Sequence, residues 1–312
     1  MTTALLQQLH SDPGCRSLMQ EGRIQYQAAV SLKTLTTFRT GGTADHVLYP
    51  TDPDALCALI RVLQGTPWVI LGNGSNVLAP DEGIHCPVIS TLKMKALTIE
   101  GNFLYAQAGL GVTRLALEAQ KSGLTGLEFL YGIPGTVGGA AVMNAGAYEH
   151  QLSERVIGVW VCDRFGNAYR LSAQQADLSY RHSRFQTSGE IVTGVEFSLE
   201  PGNKIAIRQT MEELMQRRRD KQPLEYPSAG SYFKRPAGHF AGKLIQDCQL
   251  KGTSVGGAQV SEKHAGFFIN TGCATTNEIL ELEEIVRQKV HKTFGVSLEC
   301  EVEKLSPWGK NR

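Results

Sequence analysis

The feature that most constrains this chain is a run of small residues at 126–148, which reads GLEFLYGIPGTVGGAAVMNAGAY. Glycine, alanine and small hydroxyl residues dominate the run, so little side-chain volume is available to fill a hydrophobic core. Glycine also lets the backbone approach a ligand closely, and the chain contains 33 of them. The run therefore predicts a close-fitting backbone wall for a flat ligand with polar edges and phosphates.

Two further small-residue segments precede this run. TTFRTGG occupies 36–42, and LGNGSN occupies 71–76 directly after a short apolar strand at 68–71. A loop of this kind turns consecutive backbone N–H groups toward one anion, which makes a phosphate nest. It is neither G-x-G-x-x-G nor a Walker loop and no helix follows it, so a Rossmann nucleotide site is excluded. One such loop is equally compatible with an ordinary turn, but three segments within the first 150 residues favour a ligand site.

Length and composition exclude several classes of protein. The 312 residues suit two or three domains, and 42% hydrophobic with 20% charged residues predicts folded cores. A net charge of +1 argues against a general nucleic-acid or membrane-surface binder. No apolar run is long enough to cross a bilayer, and the N-terminus does not resemble a signal peptide. The seven scattered cysteines form no C-x-x-C pair, which favours reduced thiols in the cytoplasm over disulfides or zinc.

Helical and strand patterns alternate irregularly, which predicts an α+β fold rather than a doubly wound sheet. Hairpins are expected around Gly101-Asn102 and Gly166-Asn167. Glu200-Pro201-Gly202-Asn203 is the natural domain boundary. The three arginines that end the helix at 205–220 fit a solvated helix end, favoured by the helix dipole, as well as they fit a functional role. The expected helices span 54–63, 112–120, 205–220, 241–249 and 276–291, and strands are expected at 191–199, 256–260, 266–270 and 297–303.

Several of these segments together resemble one family. TTFRTGG, LGNGSN and the glycine-rich run are similar to the flavin domain of the MurB family, the UDP-N-acetylenolpyruvoylglucosamine reductases of peptidoglycan synthesis. PSAGSYFKRP, FAGKLIQDCQLKG, GGAQVSEKHAGFFIN and LECEV resemble the substrate domain of that family. The resemblance covers about 31–305 in order.

The resemblance implies an α+β architecture in three parts. An N-terminal extension (1–30) precedes an FAD-binding domain of the vanillyl-alcohol-oxidase (PCMH) type (31–203), with subdomains at about 31–95 and 96–203. A smaller α+β substrate-binding domain follows at 204–312. The implied enzyme is a UDP-N-acetylmuramate dehydrogenase, a cytoplasmic flavoprotein oxidoreductase. In it, NADPH reduces non-covalent FAD, and hydride passes to the enolpyruvyl group of UDP-N-acetylglucosamine enolpyruvate.

This reaction requires a proton donor and electrostatic stabilisers, because negative charge develops at the carbon that bears the carboxylate. Ser231, in PSAGSYFKRP (227–236), is the candidate acid, and the family match selects it over Ser228. Gly230 is expected to give the backbone clearance, and Lys234 and Arg235 to favour a partly anionic oxygen. A nucleophilic serine is disfavoured because G-x-S-x-G is absent and no histidine is placed as its base.

Two further catalytic candidates follow from the resemblance. Arg181, in YRHSRF, matches the stabilising arginine of the family, and its guanidinium can form a forked contact with carboxylate or enolate oxygens. In LECEVE, strand alternation places Glu299, Glu301 and Glu303 on one face, so periodicity cannot choose among them. Only the family pattern selects Glu301, and Cys300 replaces its usual proline.

The resemblance also implies binding residues and partners. The partners are NADPH and a nucleotide sugar, with no nucleic acid and no metal, and the protein is expected to be a monomer or weak oligomer. The chain lacks room for the substrate-covering insertion of some members. Two alternatives remain: another FAD oxidoreductase of this fold, or a non-catalytic nucleotide-sugar-binding homologue. The substrate residues are Tyr180, Lys221, Arg235 and His264. The cofactor residues are Arg39, Gly72, Asn73, Gly74, Ser75, Asn76, Gly135, Thr136, Gly138, Gly139, Ala140, Asn144 and Gly146.

Overall fold

The computed structural model describes residues 2–309. Its first unit is a mixed sheet with helices on one face. Strand order is β1-β2-β5-β3, antiparallel between β1 and β2 and parallel elsewhere. One face packs on the helices through Leu48 and Ile89, and the other forms a second small core. Its elements are α1 (Thr2–Ser11), α2 (Pro13–Gln20), β1 (Ile24–Ser31), β2 (Thr43–Pro50), α3 (Pro53–Val62), β3 (Val69–Leu71), β4 (Val77–Leu78) and β5 (Val88–Ser90).

The second unit is a five-stranded antiparallel sheet of order β12-β11-β13-β7-β6, with helices that close the largest core. Both hairpins predicted from Gly-Asn dipeptides are confirmed. Its elements are β6 (Leu97–Glu100), β7 (Phe103–Gln107), α4 (Val112–Lys121), β8 (Leu124–Thr125), α5 (Val137–Val142), β9 (Gly146–Ala147), β10 (His150–Gln151), β11 (Val156–Cys162), β12 (Ala168–Ser172), β13 (Ile191–Ser198), β14 (Glu200–Pro201) and α6 (Lys204–Lys221).

The third unit combines a small antiparallel sheet, β15-β16-β17, with two helices. The longer helix begins with a capping box between Thr275 and Glu278 and ends at Gly295, whose φ of 69° terminates it. The chain then returns to the first unit, where β18 pairs in parallel with β4. The elements are α7 (Ala241–Asp247), β15 (Ser254–Val255), β16 (Ala258–Val260), β17 (Phe268–Asn270), α8 (Thr276–Phe294) and β18 (Glu303–Lys304).

The expected α+β class is confirmed, but the packing moves two boundaries. Strand β1 pairs with β2 along its length, so residue 30 lies inside the first sheet and not at the end of an extension. Helix α6 packs its apolar face, Ile207 and Met211, into the core of the second unit. The crossing to the third unit therefore follows α6, at about residue 222, and not at 203.

The predicted strand at 297–303 is wrong in detail. The segment is extended, but it makes one isolated bridge, between Cys300 and Phe233, before the short β18. The expected alternation nonetheless holds for its apolar side chains, since Leu298, Cys300 and Val302 all contact the core of the third unit. Tertiary packing, not a sheet ladder, holds this segment extended.

Two polar side chains join the first and third units. Asn270 is buried, and its Nδ2 donates to the Phe38 carbonyl at 3.0 Å, while its Oδ1 accepts from two backbone N–H groups of its own turn. Asp81 accepts from the N–H groups of Thr276 and Asn277 at 2.9 Å and so caps α8 from the other unit. These contacts fix the third unit against two segments of the first unit, one before β2 at Phe38 and one after β4 at Asp81.

Asn270→Ala is expected to lower the free energy of unfolding by about 2–3 kcal/mol, because it leaves buried backbone groups without partners. Thermal and urea unfolding measure this change. Asn277→Ala, at an exposed position of α8 whose backbone makes the same kind of contact, is the control and should change stability much less. Equal stability of the Asn270 variant and the wild type would contradict the proposed junction.

Candidate functional site

A large cleft lies where the three units meet, and we call it the central cleft. Its volume is about 1950 Å³, well above the roughly 300–1,000 Å³ of a site for one drug-sized ligand. The small-residue segments 72–76 and 132–140 form part of its wall, with 224–231 and 299–303 from the third unit. The cleft can therefore accommodate an extended cofactor and a second ligand together.

The loop at 72–76 connects the walls of the cleft. Asn73 Nδ2 donates to the Pro134 carbonyl at 2.6 Å, and Asn76 Nδ2 donates to the Glu301 carbonyl at 3.1 Å. Gly74 has φ 60°, and a Cβ there would lie 2.2 Å from the Leu35 carbonyl oxygen, so only glycine fits. Among the described residues, the backbone N–H groups of 73–76 find no acceptor, which suits an anion nest.

The second wall is the short helix α5 and the turn before it. Thr136 caps the helix, with its Oγ1 accepting from the Gly139 N–H at 3.4 Å. A Cβ on Gly138 would lie 2.8 Å from the Cβ of Ala108, so this glycine serves packing within the protein. Gly135 and Gly139, in contrast, have no atom closer than 3.5 Å on that side and line the cleft. Their missing side chains leave room for a ligand.

Most of the predicted cofactor residues line the cleft, and Asn144 is the exception. Asn144 is fully buried; its Nδ2 donates to the Ser179 carbonyl at 2.9 Å, and its Oδ1 accepts from the Ser153 N–H at 2.9 Å. It thus holds the turn before Arg181 in place. The predicted residues that line the cleft are Arg39, Gly72, Asn73, Gly74, Ser75, Asn76, Gly135, Thr136, Gly138, Gly139, Ala140 and Gly146.

Arg181 and Glu301 form an ion pair on the cleft wall. Arg181 Nε donates to Glu301 Oε1 at 2.7 Å, and one Nη donates to the Gly146 carbonyl at 3.2 Å. Arg181 adopts φ 52°, an uncommon left-handed conformation for a residue with a side chain. The side chains expose only 22% and 12% of their surface, so solvent screens this pair weakly. Two distant segments are thereby brought together at one place.

The structure separates Glu301 from the other two glutamates of its segment. Glu299 and Glu303 are exposed, whereas Glu301 is largely buried. Burial raises the pKa of the Glu301 carboxyl, and the positive charges of Arg181 and, less strongly, Lys234 oppose that rise. The pKa of the Glu301 carboxyl is therefore set by its burial in the cleft wall and by the neighbouring positive charges.

Ser231 lies exposed on the third-unit wall, beside the segment that carries Glu301. The Glu301 N–H donates to the Tyr232 carbonyl at 2.9 Å, which fixes the two segments side by side. Tyr232 is buried, and its hydroxyl donates to buried Glu283 at 2.8 Å. A Cβ on Gly230 would contact no protein atom within 4 Å, so its φ of 78° is what requires glycine within the fold. The backbone that carries Ser231 is thus rigidly held.

The predicted substrate residues divide into two groups. Tyr180, Arg235 and His264 line the cleft, whereas Lys221 is exposed at the end of α6 and is not part of the lining. Arg235 lies over the Phe240 ring at 4.3 Å. Burial lowers the pKa of His264. Lys234, expected to favour an anionic serine oxygen, instead pairs with Glu299 at 2.5 Å.

Arg218 lines the cleft but is not among the site residues predicted from the sequence. It is 94% buried, whereas Arg217 and Arg219 are exposed as a solvated helix end predicts. Helical spacing could have indicated it, because Ile207, Met211 and Arg218 follow one another at i, i+4 and i+11 on the buried face. A charged residue on that apolar face was the available signal.

No helix within residues 2–309 is long and apolar enough to span a membrane. Nor does that range contain three or more His, Cys, Asp or Glu side chains grouped as they would be to bind a metal ion.

Glu301→Gln is expected to change stability with a particular sign of pH dependence. Because folding raises the pKa of Glu301, the unfolded chain releases this proton at lower pH, and wild-type stability falls as the pH rises above the ordinary glutamate range, about 4.3. The glutamine variant lacks this loss, so its melting temperature relative to wild type should increase from about pH 4 to pH 8.

Thermal unfolding at a series of pH values measures this difference. Glu299→Gln removes an exposed carboxylate from the same segment and controls for the loss of one negative charge. A difference between Glu301→Gln and wild type that stays constant or decreases with pH would contradict the burial argument.

Comparison with known proteins identifies both halves of the chain. Residues 44–172 match the model of an FAD binding domain, and residues 222–305 match the model described as UDP-N-acetylenolpyruvoylglucosamine reductase, C-terminal domain. The second match begins where α6 ends, in agreement with the packing boundary. The expected FAD-binding fold and flavin cofactor are confirmed by these matches.

Relatives extend the match to most of the chain. A UDP-N-acetylenolpyruvoylglucosamine reductase of Clostridium novyi (strain NT) is 46% identical over 88% of this chain and 90% of its own length. That of Caldanaerobacter subterraneus subsp. tengcongensis is 45% identical over 92% and 95%.

A solved structure agrees with the sequence relatives. The crystal structure of UDP-N-acetylenolpyruvylglucosamine reductase (MurB) from Thermus caldophilus superposes with a TM-score of 0.78 at 34% identity. The match covers 90% of this chain and 98% of that one. With identity well above 30% over nearly the whole length, this chain belongs to the MurB family of UDP-N-acetylenolpyruvoylglucosamine reductases.

Proposed function

We propose that this protein reduces the enolpyruvyl group of UDP-N-acetylglucosamine enolpyruvate to give UDP-N-acetylmuramate, with NADPH as the reductant. We call the part of the cleft lined by the 72–76 loop, Gly135 and Gly139 the glycine-lined groove. The observation that carries the proposal is that Arg181, Glu301 and Ser231, from three separate segments, meet on the cleft wall beside this groove. An acid and a cationic stabiliser next to a cofactor site are what this reaction requires.

The residues of the glycine-lined groove fit FAD. The unpaired backbone N–H groups of 73–76 suit its phosphates, and the open faces of Gly135 and Gly139 suit a flat ring system. When bound and reduced by NADPH, FAD supplies the hydride for the distal carbon of the enolpyruvyl double bond. Arg39, exposed at the rim with φ 56°, offers a cation to the same ligand.

Arg181 is suited to stabilise the charge that develops on the substrate. A guanidinium carries five N–H donors, and two contacts are used, to Glu301 and to the Gly146 carbonyl. The remaining donors are available for the carboxylate and enolate oxygens of the substrate, where bidentate contacts are strong. Glu301 acts as the positioning residue for this guanidinium, because it fixes the plane of the group by the 2.7 Å hydrogen bond.

Ser231 is suited to protonate the carbon beside the substrate carboxylate. Its side chain is exposed to the cleft, and its backbone is held by Tyr232 and by the bridge to Phe267. The carbanion is a very strong base, so it can take a proton from a weakly acidic serine hydroxyl. The hydroxyl can therefore serve as the acid without a histidine. Tyr180, Arg235 and His264 line the same cleft and are available to the nucleotide sugar.

Gly139→Ala tests the cofactor groove. Alanine at this helical position should stabilise the protein without FAD by about 0.5–1 kcal/mol, because it favours the helix, while its methyl group should obstruct the cleft and weaken FAD binding. Thermal unfolding of the flavin-free protein and FAD titration followed by flavin fluorescence separate the two effects.

Gly138→Ala is the matched control for the groove. Its methyl group would collide with Ala108 at 2.8 Å, so both stability and FAD content should fall. If Gly139→Ala bound FAD as tightly as the wild type, the groove would not be the flavin site.

Ser231→Ala tests the proton donor. NADPH should still reduce the bound flavin at the wild-type rate, because this step needs no acid, whereas product formation should fall by about 10²–10⁴-fold. Stopped-flow absorbance follows the first step, and chromatography of the nucleotide sugar follows the second.

Ser228→Ala is the control, because Ser228 lies three residues away on the same wall and its carbonyl, not its hydroxyl, is bound by Thr37 at 2.7 Å. Its product formation should remain close to that of the wild type. Equal turnover by Ser231→Ala and Ser228→Ala would refute the assignment of the acid.

A further inference from the structure

Arg218 is buried in the wall of the central cleft without a partner for most of its charge. Its Nε and one Nη have no hydrogen-bond partner among residues 2–309, and the other Nη reaches only Gln222 Oε1, at 3.3 Å. No carboxylate in that range forms an ion pair with it. The guanidinium lies over the ring of Tyr148 at 5.6 Å, which offers a weak attraction and no counter-charge.

Such an arrangement is unfavourable in the protein alone. Arginine stays charged under all ordinary conditions, and a buried charge without a partner is costly. Native proteins leave few buried polar groups unpaired, and those that remain usually have a function. Burial lowers the pKa of Arg218, in line with the cost of keeping the charge in this place. An anion that binds beside the guanidinium would remove this cost.

The position of Arg218 points to the cleft as the source of that anion. The side chain lines the cleft together with Gln222, one turn further along the chain, and with Tyr148 from the second unit. Gly132 packs closely beside it, because a Cβ there would lie 2.6 Å from Met215 Sδ and 3.4 Å from Arg218 Nε. The ring of His264 and the rim residue Leu224 line the same cleft from the third unit.

We propose that Arg218 is an anion-binding residue that receives a phosphate or carboxylate group of the nucleotide ligands in the central cleft. Its two unpaired donors, Nε and one Nη, are the edge of the guanidinium that forms forked contacts with two oxygens of one anion. The choice of ligands rests on the proposed function, which supplies two anionic candidates: the nucleotide sugar and NADPH. Both ligands carry anionic phosphate groups.

Stability of the ligand-free protein separates this role from a purely structural one. Arg218 continues the apolar face of α6 after Ile207 and Met211, so methionine of similar length suits the position. For Arg218→Met we expect a melting temperature without ligand that equals or exceeds that of the wild type, because replacing an unpaired buried charge by an apolar side chain is neutral or stabilising. Arg217→Met, its exposed neighbour, is the matched control.

Binding is measured with three probes that do not require turnover. Inorganic pyrophosphate is titrated by its effect on the melting temperature, NADPH by anaerobic reduction of the flavin, and the enolpyruvyl nucleotide sugar by its perturbation of the oxidised flavin spectrum. Arg218→Met should bind at least one of these about 10- to 100-fold more weakly than Arg217→Met. Arg218→Lys should recover part of the loss, because an ammonium keeps the charge but not the fork.

The pattern of losses identifies the source of the anion. Weaker binding of the nucleotide sugar alone assigns Arg218 to that substrate, weaker binding of NADPH alone assigns it to the reductant, and a loss for both assigns it to a shared phosphate position. If Arg218→Met loses pyrophosphate binding while the wild type binds pyrophosphate but fails to reduce the enolpyruvyl substrate, the anion site is supported and only the proposed function is refuted.

Two outcomes would overturn the inference. One is a lower melting temperature of ligand-free Arg218→Met together with affinities equal to those of Arg217→Met, which would make Arg218 structural. The other is release of FAD from Arg218→Met with unchanged affinity for the nucleotide sugar and NADPH, which would place the anion on the cofactor.

Discussion

The hydrogen bonds of the loop at 72–76 are the constraint on which the cleft depends. Its asparagines hold the turn before α5 at Pro134 and the extended segment at Glu301, and the Gly74 carbonyl accepts from the Thr37 N–H at 3.1 Å. The side chains face the protein while the backbone N–H groups remain available to a ligand. One short loop thereby aligns the walls and keeps between them backbone N–H groups without acceptors in residues 2–309, which accounts for the glycines and asparagines found there.

The two arginines of the cleft represent opposite electrostatic situations. Arg181 is paired with Glu301, so its charge is compensated before any ligand binds and its orientation is set. Arg218 is buried with two unpaired donors. An unpaired buried charge is costly and a paired one is less so. In the proposed roles, Arg218 gains its counter-charge when a ligand binds, while Arg181 is arranged in advance for the charge that develops during reaction.

Local patterns predicted local structure well and long-range packing poorly. Both Gly-Asn hairpins and the helices α4 and α6 lie close to their predicted positions, because turn chemistry and helical periodicity are properties of neighbouring residues. The domain boundaries were displaced at both ends of the flavin domain, since β1 pairs with β2 in the first sheet and α6 packs into the core of the second unit. Asn144 was predicted at the cofactor, but its amide is used within the protein, a fact that no pattern of small residues contains.

The sequence by itself determined the small-residue walls, the absence of a Rossmann motif and the family resemblance, because these depend on residue type and order alone. Tertiary structure decided which charges matter. Strand alternation treated three glutamates alike, the family resemblance selected Glu301 by motif alone, and burial beside Arg181 gives the physical distinction. The sequence did not distinguish the three consecutive arginines, since all of them fit a solvated helix end. Only the packing of α6 against the second unit buries Arg218. Electrostatic roles follow from desolvation and partners, and both arise only when distant segments meet.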